Sequence, residues 1–184
     1  MAESQNGLNT GLNTSTNIDA QFATKQSDNP LWHYACQFYS QPKTEAVLLE
    51  LQDHQGADIN LILQVLWLAS MHVEWTPSCI PDGYQQWIKE QVLPLRKMRR
   101  SMKVEWPIEK GECFDDFRQQ VKALELKAEQ IALGMLFEGC EAIVIKGDIE
   151  NKEPDVKSVN DNLTRLAQYL MIEFREFKML GELI

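Results

Sequence analysis

The sequence predicts an all-α, single-domain bundle of six to seven helices around a central buried helix, and three observations carry that prediction. Apolar residues recur at three- and four-residue spacings through most of the chain, the mark of helices that bury one face. Asn, Asp, Pro and Gly punctuate those stretches where helix starts and stops need them. One segment, 59–73, is apolar on nearly every side, as a helix enclosed by others must be. At 184 residues and 44% hydrophobic composition, the chain can bury one good core and is too short to make two domains the expectation.

Residues 1–28 are rich in Asn, Thr, Ser and Gln and contain the repeat Gly7-Leu8-Asn9-Thr10, Gly11-Leu12-Asn13-Thr14. Their apolar surface is too small to offset the entropy of ordering, so they read as a disordered tail ahead of a helical domain over 29–184. Asn29 is a good N-cap and Pro30 suits the first helical position, which starts a helix running to about Gln41 with Leu31, Tyr34, Ala35 and Phe38 facing the core. Pro42 separates it from a second helix, whose apolar positions are Ala46, Leu48, Leu49 and Leu51 and whose stop is Gly56. Asp58 caps the third, central helix.

Pro77, Pro81 and Asp82-Gly83 mark a turn-rich connection before a helix from Tyr84 to about Val92, which Pro94 should kink or divide from a basic helical segment ending near Lys103. Trp106-Pro107 and Gly111 then predict a loop. The longest periodic signal runs from Phe114 to about Glu138, with Phe117, Val121, Leu124, Ala128, Ile131 and Met135 forming a heptad seam that Gly139 should end. Residues 142–145 fit a short strand or a buried loop, and 146–157 a charged linker. Ser158 with Asp161 resembles a capping box for a last helix carrying Val159, Leu163, Leu166, Leu170, Phe174 and Phe177.

A net charge of −9 and a pI near 4.9 argue against a nucleic-acid partner, whose phosphates demand a basic footprint. Cys36, Cys79, Cys113 and Cys140 lie far apart with no Cys-x-x-Cys spacing, so they read as reduced thiols of a cytoplasmic protein. The longest apolar run, 61–69, contains Gln64 and is about half the length of a membrane span. No secretory leader or membrane association is expected, and homo-oligomerisation stays open.

Against that acidic background, Arg96, Lys97, Arg99, Arg100 and Lys103 place five cations in eight residues. Arginine's planar fork matches carboxylate and phosphate, so Arg96, Arg99, Arg100 and Lys103 are candidates for binding an anionic ligand or protein partner. The competing and favoured reading pairs Arg96 and Arg99 with Glu125 and Glu129, which share a helix face, as an internal ionic network. Glu125 and Glu129 lack the Glu-x-x-His pairing of di-iron bundles, so no metal and no cofactor is expected. His33, His54 and His72 sit in no catalytic motif and read as packing or capping residues, Cys36 as a buried small side chain, and no catalytic residue is assigned. Of the five tryptophans, Trp75 and Trp106 lie beside proline-rich connections, where joint exposure would make a protein-binding patch.

Several blocks together resemble a family of small helical proteobacterial proteins known as a domain of unknown function. They are Asn29-Pro30-Leu31-Trp32, Gly56-Ala57-Asp58-Ile59-Asn60-Leu61, Leu66-Trp67-Leu68-Ala69, Pro94-Leu95-Arg96 with Arg99-Arg100, and Glu125-Leu126 with Ala128-Glu129. The resemblance spans roughly 29–136 and implies a bacterial cytoplasmic helical protein, without an activity. Two functional classes follow from the residues. The favoured one is a non-enzymatic binding or adaptor module using the basic helix face or an exposed Trp patch. The alternative is a small-molecule enzyme or ligand carrier with a pocket between helices lined by Arg and Glu. An adaptor should turn its arginines outward with no deep cavity, whereas an enzyme or carrier should gather Arg96, Arg99, Glu125, Glu129 and His72 around a concave site.

Overall fold

A computed structural model describes residues 28–104, 111–146, 156–177 and 180. The expected tail (apart from Asp28), the loop at Trp106-Pro107 and most of the linker lie outside the described residues. The architecture is all-α in one domain, with no strand among the described residues. Helix α1 (Pro30–Tyr39) begins as its sequence dictates: Asn29 Oδ1 accepts the Trp32 N–H at 2.9 Å, and Leu31, Ala35 and Phe38 are buried. Helix α2 (Thr44–Gln55) buries Val47, Leu48 and Leu51, ends on left-handed Gly56, and turns Ala46 and Leu49 outward, contrary to the sequence expectation. Leu49 nevertheless has a role, because its half-exposed side chain lines a pocket.

Helix α3 (Ile59–Ser70) is capped by Asp58, whose carboxylate accepts the Asn60 N–H at 3.0 Å, and every residue from Ile59 to Ala69 is buried. It is the central helix, packed by α1, α2 and the two helices described next. These are α6 (Glu112–Lys146) and α7 (Val156–Leu170). Between α3 and α6 the chain makes a short 3-10 turn (Pro77–Cys79), helix α4 (Tyr84–Trp87), a π turn (Ile88–Val92) and helix α5 (Leu93–Val104).

The π turn explains how Pro94 is accommodated without a break. Proline has no N–H, and its ring presses on the carbonyl four residues back. The wider turn, in which the Leu93 N–H reaches the Ile88 carbonyl, shifts the ladder by one residue just before the proline, and the backbone stays helical into α5.

Three expectations for the C-terminal half are corrected. Gly139 does not end α6, which continues to Lys146 through the segment read as a strand or loop. A Cβ at Gly139 would collide with the Cys79 carbonyl and lie 3.0 Å from Pro81 Cδ, so glycine is there to let the 79–81 turn lie against the helix. Ser158 stands inside α7, which starts at Val156, and so is not its cap. The α6 seam is also displaced. Phe117 and Leu124 are more than half exposed, while Val121, Glu125, Ala128, Ala132, Leu136 and Cys140 face inward, a stripe that leaves the predicted heptad after Val121 and again after Ala128.

A polar chain through the core ties these elements together. The buried Gln64 amide of α3 donates to the carbonyls of Cys79 (3.1 Å) and Leu136 (2.9 Å), and its oxygen accepts the Trp75 indole N–H at 3.0 Å. The backbone N–H of Trp75 donates to Asn162 Oδ1 (2.9 Å), and Asn162 Nδ2 donates to the Val73 carbonyl (2.9 Å), which fastens α7 to the segment after α3. Trp75 is therefore wholly buried, not part of an exposed Trp patch, and Trp106 lies outside the described residues.

Candidate functional site

Helices α1, α2, α3, α5 and α6 line a pocket of about 470 Å³. Its walls are apolar: Trp32, Ala35 and Cys36 from α1, Leu49 from α2, Ile59 and Leu63 from α3, and Leu126 and Leu133 from α6. The same lining holds the polar groups Tyr39, Glu45, Gln52, Asn60, Arg96, Arg99, Glu125 and Glu129. Cys36 corrects the sequence expectation, for it is an exposed thiol at this pocket and not a core residue. Partial burial raises its pKa, the direction opposite to that of an activated thiolate.

Arg96, Arg99, Glu125 and Glu129 meet here because α5 and α6 lie side by side. Arg96 spans both carboxylates: its Nε is 3.3 Å from Glu125 Oε1, and its Nη2 donates to Glu129 Oε1. Arg99 grips Glu125 with both Nε and Nη2, the latter at 3.1 Å from Oε1. The Glu125 side chain is 6% exposed, against 27% for Glu129, 16% for Arg96 and 29% for Arg99. Here lies the cause of the displaced α6 seam: a carboxylate neutralised by two arginines takes an inward position that an apolar pattern assigns to its neighbour Leu124.

The remaining sequence candidates are dispersed. Arg100 points away to Asp53 and Gln52 of α2, and Lys103 is exposed. His33 pairs with Asp28 at 2.7 Å, His54 lies in the last turn of α2, and His72, in the left-handed region, has its Nδ1 3.4 Å from Ser158 Oγ beside α7. None of the three histidines lines the pocket. No group of three or more potential metal ligands occurs among the described residues. Sequence reasoning missed Trp32, Tyr39, Glu45 and Asn60 as lining residues. Their only signal was polar or aromatic character on helix faces that the apolar pattern had already explained.

Electrostatics at the site are set by burial. Desolvation raises the Glu129 carboxyl above its ordinary value of 4.5, and Arg96 offsets this only in part. Hydrogen bonding to Glu125 raises Arg99 further, so both arginines stay charged. Beside the pocket, burial raises Asp58, although it accepts from the Tyr84 hydroxyl at 2.8 Å as well as from the helix.

A folded-state pKa above the unfolded one means that Glu129 contributes stability fully present below pH 4.5 and lost as pH rises through its elevated folded value. Glu129→Gln, which mimics the protonated form, should therefore flatten the fall in melting temperature between pH 4.5 and neutrality. Thermal melts of both proteins at intervals across that range check this; parallel curves would refute the assignment.

Fold and site together define an all-α bundle protein with an inter-helix pocket and an ionic cluster in its lining. The chain belongs to the family described as a protein of unknown function, DUF2390, whose match covers residues 30–136. No curated protein and no solved structure matches it. Every residue lining the pocket falls within the matched segment, whereas α7, which packs against α3, lies beyond it. No helix among the described residues is long and apolar enough to cross a membrane.

Proposed function

We propose that this protein is a binding protein or carrier for a small amphipathic molecule, held in the pocket between α1, α2, α3, α5 and α6. The carrying observation is the pocket itself. Its volume of about 470 Å³ falls in the range that ligand sites occupy, and its lining combines broad apolar walls with a few convergent polar groups. The apolar body of the ligand would lie against Trp32, Leu63 and Leu133, and its polar end would meet Asn60, Arg96 and Glu129. Binding is favoured over catalysis because both pocket carboxylates on α6 are already engaged by arginines and no histidine is within the lining.

The adaptor reading has less support. Arg96 and Arg99 turn inward, which leaves Lys97, Arg100 and Lys103 as the outward cations of α5, with Arg100 already paired to Asp53. The exposed free thiols Cys36 and Cys113 fit a reducing, cytoplasmic setting.

Titration with a neutral fluorescent probe, N-phenyl-1-naphthylamine, tests the proposal. Saturable one-to-one binding is expected, weakened at least about tenfold by Cys36→Trp, which fills the pocket from an exposed position and leaves melting unchanged. Absence of saturable binding, or equal binding by the variant, would reject the pocket as a ligand site.

A further inference from the structure

We propose that a second cleft, formed by Arg99, Arg118, Gln119 and Lys122, is a binding site for a phosphate group. The cleft has a volume of about 210 Å³ and lies where the middle of α5 meets the first turns of α6. Arg118 and Lys122 are four residues apart and so share one face of α6, and Arg99 reaches the same space from α5. Arg118 and Lys122 thus bring two cations to one concavity bordered by Arg99, itself paired to Glu125, in a chain whose net charge is −9, and among the described residues no carboxylate is in its lining. Like charges gathered this way repel one another and are stabilised by an anion between them.

A second observation points the same way. Arg118 Nε, like Arg165 Nε, is buried without a hydrogen-bond partner among the described residues, so the Arg118 guanidinium is not fully satisfied by them. The acidic residues nearest in sequence do not fill that role: Asp116 is held by Gln120 at 2.8 Å, and neither it nor Asp115 lines the cleft. Arg99 has already committed Nε and Nη2 to Glu125, so the open donors belong chiefly to Arg118 and Lys122. A forked guanidinium beside a point-charge ammonium is the donor set that suits the tetrahedral oxygens of a phosphate dianion. The site is separate from the apolar pocket and does not depend on that pocket having a ligand, although Arg99 borders both.

Isothermal titration of the full chain with inorganic phosphate, and in parallel with glycerol 3-phosphate, tests the proposal at fixed ionic strength set with sodium chloride. Saturable binding of phosphate is expected, with at least about tenfold loss in Arg118→Gln/Lys122→Gln as two charge-assisted contacts disappear. Tighter binding of the ester would mark a phosphorylated small molecule as the natural ligand, and equal binding would mark free phosphate. The double variant should melt no lower than the wild type without ligand, since it removes two cations that make no ion pair among the described residues. No saturable binding, an equal response to acetate, or undiminished binding by the double variant would each overturn the proposal.

Discussion

Replacing Gln64 by leucine should lower the unfolding free energy by about 4 kcal/mol, a large share of the ~5–15 kcal/mol that a domain of this size possesses. Leucine is close to glutamine in volume, so the effect isolates the hydrogen bonds from the packing. The substitution leaves the Trp75 indole N–H and the Cys79 carbonyl buried and unpaired, each at a cost of about 1–3 kcal/mol. Leu136 is less affected, because its carbonyl also accepts from Cys140 Sγ at 3.2 Å. Urea denaturation followed by circular dichroism supplies the measurement. Adding Trp75→Phe to Gln64→Leu should cost less than the two changes summed, since phenylalanine brings no N–H to be stranded. A loss under about 1 kcal/mol for Gln64→Leu would show that the network is dispensable.

That network marks the boundary of what the sequence could disclose. The buried character of α3 was legible because apolar residues occupy nearly every side of it around Gln64, and the starts of α1 and α3 were legible because Asn29 and Asp58 act on N–H groups two or three residues away. Signals of that range are written locally. What Gln64 bonds to is not, because Cys79 and Leu136 are 15 and 72 residues distant. Gly139 misled for a related reason. A glycine reads as a helix stop when only its own backbone is considered, whereas here its missing side chain serves the turn at Cys79–Pro81 packed against α6.

The α6 register was hidden in the same way. Heptad reasoning treats Glu125 as solvent-facing and Leu124 as core, and only the presence of Arg96 and Arg99 on the adjoining helix reverses them. The pocket was less legible still. Its lining comes from five helices, each contributing two to four residues that look ordinary alone. The charge pattern favoured pairing Arg96 and Arg99 with Glu125 and Glu129, yet nothing in it could say that Arg100, the neighbour of Arg99, would turn to Asp53.

Arg99→Ala should cost about 2–4 kcal/mol, because it withdraws two of the three donors that satisfy a carboxylate only 6% exposed. Arg96 cannot fully replace them: its Nε stands 3.3 Å from Glu125, and its Nη2 is engaged by Glu129. Glu125→Leu in the wild-type background should cost less, since Arg96 and Arg99 are partly exposed and long enough to carry their charges toward water, an escape unavailable to the buried glutamate. The decisive comparison is the double variant. Arg99→Ala/Glu125→Leu should recover much of the loss, as removing both members of a buried pair is far less costly than removing one. Chemical denaturation of the three variants reads these differences directly. If Arg99→Ala melts like the wild type, or if the second substitution deepens the loss, Glu125 does not depend on Arg99, and the neutralisation invoked for the displaced α6 seam fails with it. If the expected order holds, the cluster is a structural part of the pocket lining. Its arginines then hold Glu125 and Glu129 in place by ion pairing, while the apolar walls remain open to a ligand.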